Sequence, residues 1–347
     1  MKANYFQRVQ AQTPTRFWIN NVTREQARLA IEAGAVGCTQ NPAYTWKMMD
    51  APEEREYVCS LLDPILQQEA DDTQALVQLQ RALVERVARQ FMPLYEKSGG
   101  DLGLVSIQGD PFHEDCDTIV RYARYNCSAS PNIIAKIPVT EEGLKAIEVV
   151  LQEGISVNAT EVLSVRQALD VCRVYNRITE GVAKKPHIYF SHITGIFDQY
   201  LSEQVAREEI EVCPDALWQA GIAAAKKTYW MTREVCPKMG FIGGGARGLQ
   251  HFTEMVGADA CITINWKGTA DRLIEQDMPV VQRFFMPTPA SVIEELRAKL
   301  PDFRKGYDVD ALEPSEYEDF GPVVLFRSGF ETAWKNALEF IAERRRG

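Results

Sequence analysis

Histidine is scarce in this chain, with four in 347 residues. None of the four completes a metal-ligand spacing with the eight scattered cysteines (Cys38, Cys59, Cys116, Cys127, Cys172, Cys213, Cys236, Cys261), and no two cysteines form a C-x-x-C pair. A zinc site or a dithiol motif is therefore not expected, and the cysteines read as free thiols of a reducing compartment. No apolar run approaches the roughly 18–20 residues needed to span a bilayer. The opening stretch, MKANYFQRVQAQTPTRFW, lacks the apolar core of a signal peptide, so a cytoplasmic location is expected. Positive charge is also in short supply, 38 Lys and Arg against 48 Asp and Glu for a net −10, which argues against nucleic acid or an anionic membrane as a partner. Finally, no phosphate-binding glycine fingerprint follows the first apolar run, as an open doubly wound sheet would usually require.

What the chain does contain is a regular alternation of apolar runs and helical patterns. The runs are Arg16–Asn20, Val36–Thr39, Leu102–Gln108, Asn132–Pro138, Gly154–Asn158, His187–His192, Met239–Ile242 and Ala260–Ile264. Helical patterns follow each of them. Thr23 with Gln26 predicts a capping box, and Thr140 followed by Gly143 a second helix start. Residues 50–98 read as a long helical insertion or helix pair. Eight buried strands, each followed by helix, predict a parallel (β/α)8 TIM barrel of the α/β class. The whole chain, 1–347, reads as one such domain, with 280–347 a C-terminal helical extension packed on it.

In such a barrel, function sits at the C-terminal ends of the strands. There the sequence places Asn20, Thr39, Asn41, Gln108, Asp110, Lys136, Asn158, Thr160, Glu161, Ser191, His192, Gly244, Gly245, Arg247, Thr263 and Asn265. Among them Lys136, in "IIAKIP", is the one cation inside a strand. A desolvated lysine titrates low and can attack a carbonyl as a neutral amine. The competing reading of Lys136 is a lysine whose stem packs in the strand or whose charge is paired.

Four motifs carry a resemblance: "GCTQNPA" (37–43), "IIAKIPVTEEGLKAI" (133–147), "EGISVNAT" (153–160) and "AGIAAAKKTYW" (220–230). With them the chain resembles the transaldolase family over about residues 16–275. The family is a (β/α)8 barrel of Schiff-base aldol chemistry that moves a three-carbon dihydroxyacetone unit between sugar phosphates, and fructose-6-phosphate aldolases belong to the same superfamily. The resemblance implies Lys136 as the nucleophile. It implies Thr39, Asn41, Asn158 and Thr160 around substrate hydroxyls and the Schiff-base water, and Arg247 on a phosphate. Gly244, Gly245 and an adjoining helix N-terminus are expected to offer backbone N–H groups to the same anion. It implies a small sugar or sugar-phosphate substrate and no cofactor, and it leaves a homo-oligomer open.

The departures from the family are specific. Asn20 stands where the family has an acid/base aspartate, and an amide cannot take a proton. Gln108 replaces the strand-three glutamate, as it does in the fructose-6-phosphate aldolase branch. Ser191 and Gly195 are kept after strand six, but Ile196 takes the place of a phosphate-binding arginine. His192 and Glu161 are candidates to supply the missing proton transfer. Glu161 also suits a helix cap, and His192 a hydrogen-bonded structural role. The favoured reading is a transaldolase- or aldolase-like enzyme, transferase or lyase, with altered specificity. The alternative is a catalytically decayed sugar-phosphate-binding or regulatory barrel. A Schiff-base lyase or isomerase without need of a strand-one acid comes third.

Overall fold

The computed structural model describes residues 2–183 and 185–346. Its centre is a closed parallel barrel of eight strands in sequence order. They are β1 (Arg16–Asn20), β2 (Ala35–Gln40), β3 (Leu104–Gln108), β4 (Ile133–Pro138), β5 (Val157–Val162), β6 (Ile188–His192), β7 (Gly240–Gly243) and β8 (Cys261–Ile264). Closure brings β8 beside β1, pairing Phe17 with Ile262 and Ile19 with Ile264. Side chains alternate between the barrel interior and the helical shell. The inward set is apolar low in the barrel, where Trp18, Leu104, Ile134 and Ile242 pack together. Two residues further along the same strands it turns polar, with Asn20, Ser106 and Lys136. Trp18 fills so much of the floor that a Cβ on Gly37 would lie 2.3 Å from its ring.

The expected helix starts are in place. Thr23 Oγ1 accepts from the Gln26 N–H at 3.2 Å, and the Gln26 side chain accepts from the Thr23 N–H at 3.3 Å. Thr140 Oγ1 accepts from the Gly143 N–H at 3.0 Å. The 50–98 region forms two helices, Pro52–Gln68 and Asp72–Lys97.

Two expectations need correcting. Strand β5 begins and ends later than the sequence suggests, so Thr160 and Glu161 belong to the strand itself. The helix cap that Glu161 was suited to is Ser164, whose hydroxyl accepts from the Gln167 N–H in a full capping box. After β7, the helix expected to run on to Met255 is a single turn, Gln250–Thr253.

The last quarter of the chain packs on the shell. Helix Ala290–Lys299 lies against Pro214–Val235. Helix Gly321–Arg346 lies across Ala43–Asp50, Asp72–Lys97 and Thr194–Glu208. Its buried residues Phe330, Ala333, Trp334, Ala337 and Ile341 recur at helical spacing. Burying each of the large ones is worth about 1.5–3 kcal/mol, which fixes the helix on the barrel.

Candidate active site

A cavity of about 600 Å³ opens at the C-terminal ends of the strands. Of the residues expected there, Asn20, Thr39, Asn41, Lys136, Ser191, Gly244, Gly245 and Arg247 line it. The sequence had not singled out Asn21, Lys47, Gln199 and Lys267, nor the roof of the cavity, which comes from the C-terminal helix as Leu325, Phe326, Ser328, Gly329 and Phe330. Among the described residues, four cations line the cavity (Lys47, Lys136, Arg247, Lys267) and no carboxylate does. Despite the acidic chain, its field therefore favours an anionic ligand.

Lys136 sits at the bottom, 6% exposed. The barrel register sets Gln108, Lys136 and Asn158 side by side on β3, β4 and β5. The ammonium donates to Gln108 Oε1 at 3.2 Å. It also lies 5.7 Å from the centre of the Phe330 ring, which seals it from above. Burial lowers its pKa to about 8, while negative charge on the neighbouring Glu161–Glu114 pair pulls the other way.

Behind Lys136 the polar groups are buried and connected. Gln108 Nε2 donates to Glu161 Oε1 at 2.8 Å. Ser191 Oγ donates to Asn158 Oδ1 at 2.8 Å, and Asn158 Nδ2 to Ser106 Oγ at 3.3 Å. Thr160 is fully buried, and among the described residues its hydroxyl has no partner. A buried hydroxyl left open in this way is placed to meet a ligand or a water. Asn158, Thr160 and Gln108 thus form the layer beneath the cavity rather than its wall.

On the far side, Asn20 Oδ1 accepts from Thr39 Oγ1 at 2.9 Å and its Nδ2 donates to Asn265 Oδ1 at 3.0 Å. Thr39 also meets Thr263 hydroxyl to hydroxyl at 2.8 Å. Asn41 is held by Asn21, whose Nδ2 donates to its Oδ1 at 2.8 Å. Lys47 donates to the Asn21 carbonyl at 2.5 Å. Burial lowers the Lys47 pKa.

The anion end differs from expectation. The Gly244 N–H donates to the His192 carbonyl at 2.9 Å, and those of Arg247 and Gly248 each to His251 Nδ1 at 3.2 Å. His251 is held in turn by Asp198, 2.8 Å from its Nε2. The Gly244, Arg247 and Gly248 donors are therefore already used, and the following helix is only one turn long. The charge at this end is the Arg247 side chain, whose Nε donates to Gln199 Oε1 at 2.6 Å. Ile196 lines the wall beside it.

His192 is the other correction. Ser191 points into the barrel, so its neighbour points out. The ring lies nearly parallel to that of Phe241 with centres 6.2 Å apart, and Nδ1 meets Thr194 Oγ1 at 2.9 Å. Burial lowers its pKa to about 3, so it is a neutral structural histidine outside the cavity.

Comparison with known proteins agrees with this geometry. The family described as Transaldolase/Fructose-6-phosphate aldolase matches residues 17–308. Transaldolases of Mycobacterium ulcerans and Mycobacterium tuberculosis are each 29% identical over 237 residues, 63% of this chain and 62% of theirs. The chain thus spans somewhat under two thirds of the length of these mycobacterial proteins. A transaldolase of Thiobacillus denitrificans is 25% identical over 93% of this chain and 96% of its own. With a closed eight-stranded barrel, a buried lysine on β4 and a family match across most of its length, the chain belongs to the transaldolase/fructose-6-phosphate aldolase family.

Proposed function

We propose that the chain is a transaldolase- or aldolase-like enzyme that forms a Schiff base between Lys136 and a ketose or ketose phosphate, for cleavage or transfer of an aldol C–C bond. The observation that carries this reading is the burial of Lys136 with a pKa near 8 at the floor of a polar cavity. At pH 7 about a tenth of such a lysine is a free amine, against well under a thousandth of an ordinary one. The amine adds to the ketone, and loss of water gives an iminium that draws electrons from the C–C bond to be broken. Ser191, held by Asn158 beneath it, faces the cavity and suits a hydroxyl on the carbon next to the iminium. Arg247 and Lys267 suit a phosphate at the far end.

Asn20 occupies the place from which a carboxylate would take the hydroxyl proton during cleavage. Held between Thr39 and Asn265, it can position that hydroxyl but not deprotonate it. Altered specificity follows, toward substrates whose cleavage is assisted from elsewhere. Ile196 removes a second phosphate contact and favours a smaller or singly charged anion. A binding-only role is favoured by one observation, the lack of any carboxylate in the cavity wall.

Borohydride reduction separates the two. The protein is incubated with dihydroxyacetone, fructose 6-phosphate and other ketoses, reduced, and digested for mass analysis. A reduced adduct on Lys136 is expected. No adduct with any ketose would leave the binding role as the better reading.

A further inference from the structure

Two carboxylates lie behind the lysine, and neither belongs to the cavity wall. Glu161 is fully buried. It is one of four non-glycine residues at positive φ in the described chain, at 61°, where the β5–β6 register shifts. Glutamate is a poor choice for that backbone conformation, which asparagine or glycine adopts more readily. The shift turns its side chain toward β3. There Oε1 accepts from Gln108 Nε2 at 2.8 Å, while the opposite end of the same amide faces Lys136 at 3.2 Å. Among the described residues Oε2 has no partner at all. The buried Glu114 Oε2, in the loop after β3, likewise has none.

The charged groups around Glu161 are few: Lys136, Glu114, Arg327 and Glu318. Arg327 is already engaged, by Glu318 at 3.0 Å and Glu331 at 3.7 Å. The unengaged cation is therefore Lys136.

We propose that Glu161 is the counter-ion of Lys136, positioned through Gln108, and that Glu114 beside it holds a proton so that the pair presents one negative charge. Acting through Gln108, Glu161 is a positioning residue. An amide free to turn could show Lys136 either its oxygen or its NH2 group. The carboxylate on the other side fixes the oxygen toward the ammonium. When ammonium and ketone become iminium and water, the positive charge stays on the same nitrogen, so the counter-charge serves both states unchanged. Burial raises the pKa of both carboxylates; the Glu161 charge raises Glu114 further, whereas the Gln108 hydrogen bond and the Lys136 charge act on Glu161 in the opposite sense, which leaves Glu114 the protonated partner. The iminium half of the proposal rests on the Schiff-base reading above, whereas the ammonium half does not.

The test titrates Lys136 without any sugar. Short pulses of acetic anhydride across a pH series, read by peptide mass, give the midpoint at which the amine becomes reactive. The wild-type midpoint is expected near 8. In E161Q and E161N it should fall by about one pH unit, the lower end of what a nearby opposite charge contributes. E161N removes the charge with a residue that suits the positive-φ backbone better than glutamate does. Adding Q108E to E161Q should restore the midpoint, which no purely structural role of Glu161 predicts. E114Q should leave the midpoint in place. An unchanged midpoint in both E161Q and E161N overturns the proposal, and so does a fall in E114Q equal to that in E161Q. A wild-type protein that titrates as expected yet traps no ketose overturns the Schiff-base reading alone.

Discussion

Asn20→Asp is the substitution that bears most directly on the chemistry. The mutant changes one NH2 group to an oxygen in a site whose contacts are known. The retained oxygen still accepts from Thr39 Oγ1, 2.9 Å away in the wild type. The new oxygen meets Asn265 Oδ1, now 3.0 Å from Asn20 Nδ2, so two acceptors face each other. Asn265 is exposed and can turn its amide to offer a donor. If it does not, the loss is one hydrogen bond, about 1 kcal/mol. Lys47, Lys136 and Lys267 share the cavity and favour the ionised carboxylate. Against this, general acid/base assistance is worth ~10²–10⁴-fold, or about 2.7–5.4 kcal/mol of barrier. The gain exceeds the cost, and dihydroxyacetone transfer should rise by at least the lower figure. The assay follows triose phosphate released from fructose 6-phosphate in the presence of an aldose phosphate acceptor. A folded N20D protein that still forms the Lys136 adduct but shows no rise would refute the idea that Asn20 is what limits the reaction.

Arg247→Ala should raise KM for phosphorylated ketoses by roughly 10–100-fold and leave dihydroxyacetone unaffected, since a charge-assisted contact is lost only where a phosphate exists. Ile196→Arg, beside it in the wall, should lower KM for the same phosphates by about tenfold with little change in kcat. His192→Phe should keep wild-type turnover, because the ring lies outside the cavity. The same variant should unfold at lower pH than the wild type. His192 titrates near 6.5 unfolded but about 3 folded, so its contribution is intact above 6.5 and is lost as pH falls toward 3. That loss amounts to up to roughly 5 kcal/mol, and acid titration by circular dichroism reads it. Gly195→Ala should disturb the loop after β7, since its Cβ would stand 2.1 Å from the Gly245 carbonyl. Weaker binding of phosphorylated ligands, seen by calorimetry, is the expected result.

The strands and the capped helices were readable because each rests on local chemistry. Thr23 and Gln26 cap a helix wherever they occur, and an apolar run the length of "IIAKIP" is a strand in most settings. The reading went astray where the barrel interior overrides local preference. Thr160 and Glu161 look like loop residues by their polarity, yet the wet end of a barrel accepts polar side chains within a strand. His192 was legible in hindsight from alternation alone, since Ser191 inside requires its neighbour outside. The short turn after β7 was not legible, because the His251 ring folds back to accept from the Arg247 and Gly248 N–H groups, a tertiary contact that no local pattern announces. The Glu161–Gln108–Lys136 chain joins residues 28 and 53 positions apart, and no local pattern announces it. The roof could be foreseen only as an amphipathic helix, whose spacing shows that a face is buried but not what lies beneath.

That roof has a consequence for how specificity can change. The match to the family ends at residue 308, whereas Leu325–Phe330 lie beyond it and close the cavity over Lys136. The floor that holds Lys136 and the roof above it are thus carried by separate stretches of chain. A chimera that kept residues 1–308 and took its final helix from a relative would change substrate reach and leave every strand untouched. Substrate reach can change the same way in nature, with one helix exchanged over an unchanged floor.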